Sequence, residues 1–125
     1  MRTLNERAAE ILCDLLKQPN QRLLNHRSVQ TKVTGHIGKF NIVSFVWHIE
    51  IKGVRYRDPE ILISHDTRER QFIPYHYMND FFGVEQCYAK PTADDLLLYD
   101  EFGQYNLASL TNRLLLQTAS NLVIR

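Results

Sequence analysis

Three histidines and two carboxylates are the residues of this chain best suited by type to chemistry: His48, His65, His76, Asp58 and Glu60. All five lie in stretches with strand-like patterning. On neighbouring strands in matching register, the imidazoles and a carboxylate would suit zinc or a non-haem metal. Their spacing follows no ligand motif, and a one-residue slip sends every side chain to the other face of a sheet. The alternative is a set of strand-edge histidines bonded to neighbours or water. Asp58 and Glu60 are two apart and are expected to share one face of a strand. Paired carboxylates act as acid and base when their surroundings drive their pKa values apart. Beside Arg55 and Arg57, charge pairing is the simpler account.

Nucleophiles are poorly supported. Cys13 and Cys87 form no Cys-x-x-Cys pair and are read as two reduced thiols. Ser64, His65 and Asp66 are consecutive, so on a strand they alternate between faces and build no triad. The chain has no glycine-rich phosphate loop and no His-Glu-x-x-His. No catalytic residue and no cofactor is assigned, and the balance leans against an enzyme.

Residues 72–88 hold Phe72, Tyr75, Tyr77, Phe81, Phe82 and Tyr88, six of the thirteen Phe, Trp and Tyr residues. Aromatic residues are enriched at the centres of interfaces, so these six are the candidate partner-binding surface. The competing account is a core corner where sheet meets helix. Charge is also unevenly placed. Residues 20–57 carry Arg22, Arg27, Lys32, Lys39, Lys52, Arg55 and Arg57 against Glu50 alone, a net +6. Residues 58–102 carry ten acidic groups against three basic ones, a net −7. Such polarity fits a charged partner or head-to-tail association, or opposite charges pairing across one sheet. The basic strands, with Phe40, Trp47 and Tyr56, offer a nucleic-acid alternative. A sequence pI near 7.8 argues against it.

The elements follow from periodicity. Residues 3–18 predict an amphipathic helix with Thr3 as N-cap and Glu6 completing a capping box. Its stripe is Leu4, Ala8, Ile11, Leu12, Leu15 and Leu16, with Cys13 opposite. Residues 27–34 read as a polar edge strand, followed by a glycine-bearing turn. Residues 40–52 are the strongest strand. Val43, Phe45, Trp47, Ile49 and Ile51 share one face. The other begins apolar with Phe40 and Ile42 and ends polar with His48 and Glu50, so its first half should be covered on both sides. Asp58-Pro59 suits a strand entrance. Residues 60–65 and 70–77 read as a hairpin, with Pro74 forcing an edge position or a bulge. Residues 84–88 read as one more short strand. Residues 93–102 fit a short helix ending at Gly103, or a strand at 96–99. Residues 105–123 predict a helix capped by Asn106, with Leu107, Leu110, Leu114, Leu115 and Leu122 inward and Leu116 and Val123 on the opposite side.

The expected fold is α+β in one domain, residues 1–125. An antiparallel meander of about four to six strands is flanked by an N-terminal and a C-terminal helix in a two-layer sandwich. No apolar span and no signal-peptide core is present, so a cytoplasmic protein is expected. Three segments, Asp58-Pro59-Glu60-Ile61-Leu62-Ile63, Phe72-Ile73-Pro74 and Asn79-Asp80-Phe81-Phe82-Gly83-Val84, precede a Leu-rich final helix. In this the chain resembles a family of small bacterial and phage proteins catalogued as a domain of unknown function. The resemblance covers about residues 56–116. It lacks the tryptophan associated with that family's final helix, and it implies a bacterial or mobile-element origin but no activity. The functional expectation is a non-enzymatic binding module for a protein partner or a second copy of itself. A metal-binding protein or small enzyme is the alternative, and a nucleic-acid binder a further one.

Overall fold

The computed structural model describes residues 1–123. Helix α1 (Glu6–Lys17) leads into β1 (Asn20–Leu23), β2 (Arg27–Ile37), β3 (Phe40–Ile51), β4 (Val54–Asp66), β5 (Gln71–Asn79) and β6 (Val84–Cys87). A small hairpin, β7 (Ala89–Pro91) and β8 (Leu96–Leu98), precedes the closing helix α2 (Glu101–Asn121). β1 to β6 make one sheet in sequence order, every neighbouring pair antiparallel. This is the expected α+β meander between two terminal helices. Among the described residues no helix is long and apolar enough to cross a membrane.

The helix boundaries differ from expectation for identifiable reasons. α1 is capped by Asn5, whose side chain accepts from the Ala8 N–H at 2.8 Å. Thr3 lies too early, because the Leu4 N–H is already committed to the Phe72 carbonyl at 2.8 Å. Ala8, Ile11, Leu12 and Leu15 are buried and Cys13 is exposed, as the stripe predicts. α2 is capped by Asp100, which accepts from the Gly103 N–H at 2.9 Å, rather than by Asn106. Gly103 therefore sits in the first turn and is not a C-cap. A Cβ there would collide with the Tyr88 ring, so this glycine lets the helix close on the sheet. Of the two readings of residues 93–102, the strand at 96–98 is the one that forms.

The sheet also holds two corrections. β2 is an interior strand, because the short polar β1, which alternation does not reveal, pairs on its outer side. The Leu24 N–H bonds to the Asn121 carbonyl at 2.9 Å and the Val123 N–H to that of Arg22 at 3.1 Å, so the chain after α2 covers β1 in turn. β4 runs unbroken through Asp58-Pro59 instead of starting there. Its pairing steps from Val46–Glu60 to His48–Arg57, leaving Trp47 opposite the cis Asp58-Pro59 dipeptide. β5 is likewise interior, and Pro74 brings the bulge rather than the edge position. Leu62 pairs with His76 and Ile63 with Pro74, leaving Tyr75 as the extra residue.

The sheet's two faces are covered unequally. Val29, Val43, Phe45, Trp47, Ile61, Ile63 and Phe72 pack beneath Ala8, Leu12, Leu107 and Leu115 of the helices. On the other face, Phe40, Ile42, Ile73 and Tyr75 pack against Ala89 and Leu96 of the small hairpin. That hairpin covers the apolar half of β3's second face and leaves the His48 and Glu50 half open. At the β2–β3 turn Gly38 has a φ of +56°, and the Ala93 backbone occupies the space where a Cβ would project.

Gln104 ties these parts together. Its buried side chain donates to the Pro74 carbonyl at 3.0 Å and the Arg2 carbonyl at 2.7 Å, and accepts from the Arg2 N–H at 2.8 Å. Gln104→Leu keeps the volume but orphans a buried carbonyl at the β5 bulge, at a cost of about 1–3 kcal/mol. Urea denaturation should show a lower midpoint with an unchanged m-value. An unaltered midpoint would remove this residue from the account of stability.

Candidate binding cleft

The β4 bulge decides where Asp58 points. The break in alternation turns Asp58 to the helix face, while Glu60, two residues on, stays on the open face. The Asp58 carboxylate accepts from Arg27 Nη1 at 3.0 Å and from Asn79 Nδ2 at 2.8 Å. The Arg27 guanidinium also lies over the Trp47 ring, 5.8 Å from its centroid. Asn79 is 3 % exposed, contacts the Tyr77 hydroxyl at 3.2 Å and accepts from the Phe82 N–H at 3.1 Å. One carboxylate thus links β2, β4 and β5.

Above this polar floor opens a cleft of about 480 Å³. Leu24 of the β1–β2 turn and Phe82 of the β5–β6 turn stand at its rim, and Trp47, Leu110 and Leu114 supply its apolar lining. Apolar walls with a few convergent polar groups are the usual composition of a binding site. Trp47 is fixed there by its indole N–H, which donates to Thr118 Oγ1 at 2.8 Å.

The other predicted site residues do not converge. His65 lies on the helix face, stacked on Phe72 at a centroid distance of 4.1 Å. His48 and His76 lie on the open face, separated by β4 and offset along it, opposite Arg57 and Leu62 respectively. His48 Nδ1 contacts Arg55 Nη2 at 2.9 Å, and His76 Nε2 contacts Glu85 at 3.0 Å. Glu60 accepts from Ser44 at 2.7 Å and from Arg57 at 3.1 Å. Among the described residues no group of three or more His, Cys, Asp or Glu is placed to hold a metal. The expected pairing of Asp58 and Glu60 on one face fails because the bulge breaks alternation between them.

The six aromatics also separate. Phe72 and Tyr75 are buried in the cores on opposite faces, and Tyr77 and Tyr88 are half-buried. Only Phe81 and Phe82 turn their rings outward, at 53 % and 71 % exposure, edge to face at 5.4 Å. Of the aromatics proposed to stack on bases, Phe40 and Trp47 are buried. The structure adds an exposed group the sequence reading missed: Leu97, Tyr99, Phe102 and Tyr105 around the start of α2. Placing α2's start at Asn106 hid it.

Cross-strand pairing accounts for part of the charge asymmetry. Arg27 meets Asp58, Lys39 meets Asp66 at 3.3 Å, and Arg57 meets Asp80 at 2.8 Å. Hydrogen bonding to Arg57 holds the Asp80 carboxyl below its ordinary value. For Asp66, burial pushes upward but is outweighed by the Glu69 N–H, Lys39 and the Arg68 N–H, leaving its pKa lowered. Burial lowers His65, and burial with the Arg55 charge lowers His48. Burial pushes the Tyr75 phenol up to about 12. Compared with protein-family models, curated proteins and solved structures, the chain finds no match in any of the three.

These shifts set a direction for stability against pH. A histidine whose folded pKa is depressed favours folding above its unfolded value and loses that contribution as pH falls through 6.5. The lowered carboxylates, Asp66 and Asp80, add a second loss below their ordinary value of 3.8. Denaturation midpoints should therefore decline first between neutral pH and about 5. His65→Phe should flatten part of that decline. A midpoint constant through this range would contradict the assignment.

Proposed function

We propose that this chain is a non-enzymatic interaction module that closes on a second copy of itself through the cleft beneath α2. The observation that carries the reading is the pairing of knob and hole on one patch. Phe82 forms one wall of the cleft and is itself 71 % exposed. Leu24, on the opposite rim, is 51 % exposed. A two-fold interface requires one surface to be complementary to itself, and a protruding ring beside a cleft roomy enough to admit one meets that requirement. Phe82 of each protomer would enter the other's cleft, over Trp47, Leu110 and Leu114. The Arg27–Asp58–Asn79 network beneath keeps its polar groups bonded when water leaves.

Placement in the cytoplasm belongs to the same reading. Both thiols are free and exposed, a state suited to a reducing compartment. The separation of the histidines and carboxylates favours a binding role over a metal-dependent one.

Sedimentation velocity over a wide concentration range tests the proposal. Dimer should form with rising concentration and weaken in Phe82→Ser by about 2 kcal/mol, roughly 30-fold in Kd. Leu24→Ser, on the opposite rim, should weaken it in the same sense. A chain monomeric throughout, or a dimer indifferent to both substitutions, would sink the reading.

A further inference from the structure

A second cleft, of about 630 Å³, lies at the uncovered half of the sheet, where the β1–β2 and β3–β4 turns meet. Arg22, His26, Lys52, Arg55 and His48 line it, with Arg27 at its edge and Glu50 as its one carboxylate. Strand register builds the grouping. Arg22 pairs with Ser28, Ser28 with His48, and His48 with Arg57, so four strands present one row across the open face. The β3–β4 turn, with Lys52 at a φ of +51°, brings Lys52 and Arg55 to the same end. A neighbouring cleft shares Arg22, Ser28 and Arg55 and carries the depression to the β1 edge at Asn20 and Gln21.

What distinguishes the cluster is its charge balance. Arg27, Lys39 and Arg57 are neutralised by carboxylates, but among the described residues Arg22, Lys52 and Arg55 make no ion pair. Three like charges converging on one cleft repel, and a multivalent anion relieves that repulsion. His48 adds a neutral donor. Arg55 has no lone pair to offer, so His48 Nδ1 accepts its N–H at 2.9 Å and the imidazole proton resides on Nε2.

We propose that this cleft is a binding site for a phosphate-bearing ligand, gripped by Arg22, Lys52 and Arg55, with Ser28 and His48 as neutral donors. Guanidinium forks match phosphate oxygens, and an ammonium adds a point charge. Among the described residues three cations without an ion pair, set against the single carboxylate of Glu50, exceed what a lone carboxylate ligand requires. Among the described residues no Phe, Tyr or Trp lines the cleft, so the phosphates rather than the bases of a nucleotide supply the recognition. The gripping residues Arg22, Lys52 and Arg55 do not line the Phe82 cleft, which shares only Leu23 and Arg27 with this one.

Two probes distinguish the source of the phosphate: inorganic tripolyphosphate and a fluorescein-labelled single-stranded oligodeoxynucleotide. Titration at low salt, then at increasing salt, is compared for the wild type, the double variant Lys52→Glu with Arg55→Glu, and the control Lys32→Glu. Lys32 is exposed, carries the same charge and lies outside the cleft. At least one probe should bind, and the double variant should weaken it at least about tenfold and lower the salt slope by about 2. Lys32→Glu should leave the affinity nearly intact. The oligonucleotide alone binding identifies a phosphodiester backbone; tripolyphosphate binding, or displacing the oligonucleotide, identifies a compact phosphate group. Circular dichroism verifies that the double variant is folded, and Phe82→Ser should bind like the wild type. Binding of neither probe, or equal losses in the double variant and in Lys32→Glu, would overturn the proposal.

Discussion

The helix side of the sheet depends on where one carboxylate points. Among the described residues Asp58 is the only residue of β4 whose side chain hydrogen-bonds to both β2 and β5, through Arg27 and Asn79. A partly buried carboxylate is costly unless its oxygens are bonded, and here both are. Removing one partner would leave a desolvated charge, so the three strands and the two turns beyond them are held to one arrangement. The cleft follows from this. Asn79 anchors the Phe82 N–H, Arg27 lies over Trp47, and Trp47 bonds to α2. A polar network placed between strands in this way sets geometry more than it adds net stability.

Much of the fold was legible because apolar periodicity reports burial directly. Residues 40–52 alternated cleanly, and their second face turned polar where the β7–β8 hairpin stops covering it. Residues 6–17 carried an unambiguous stripe. Legibility failed where a residue's local preference served a tertiary purpose. Gly103 resembles a helix stop but permits the packing of α2 on Tyr88. Asp58-Pro59 has the chemistry of a turn but occupies mid-strand. β1 shows no alternation because only Leu23 of its four side chains is buried, so nothing in the sequence marks it as a strand. The candidate site was less legible than the fold. Its members come from two turns, five strands and a helix, and each bulge inverts which side chains share a face. His65 and Phe72 illustrate this: they were grouped with separate sites and stack on one another.

The charge asymmetry read from the sequence resolves in space into pairs and a remainder. Cross-strand pairs absorb three of the basic residues on β2, β3 and β4 and in their turns. Part of the remainder lies at opposite ends of α2. Asp94, Asp95, Asp100 and Glu101 lie at or just before its N-terminus, where an acidic group complements the helix dipole. Arg22 and Arg55 share a cleft with Val123, just past its C-terminus. With 21 residues, α2 separates these ends by about 30 Å. The molecule therefore carries a dipole that its near-neutral net charge conceals.

Gly38 carries a consequence for ancestry. Its positive φ and the Ala93 backbone filling its Cβ position impose two independent bars to any other residue. The open-face core of Phe40, Ile42, Ile73 and Tyr75 is sealed by the segment this contact anchors. A lineage that keeps the β7–β8 hairpin must keep glycine at this turn, whereas Gly35, with no atom within 4 Å of a Cβ, is free to drift. Descent with divergence should therefore leave Gly38 in place after the surface around it has become unrecognisable, which makes it a fixed point for aligning remote relatives of this fold.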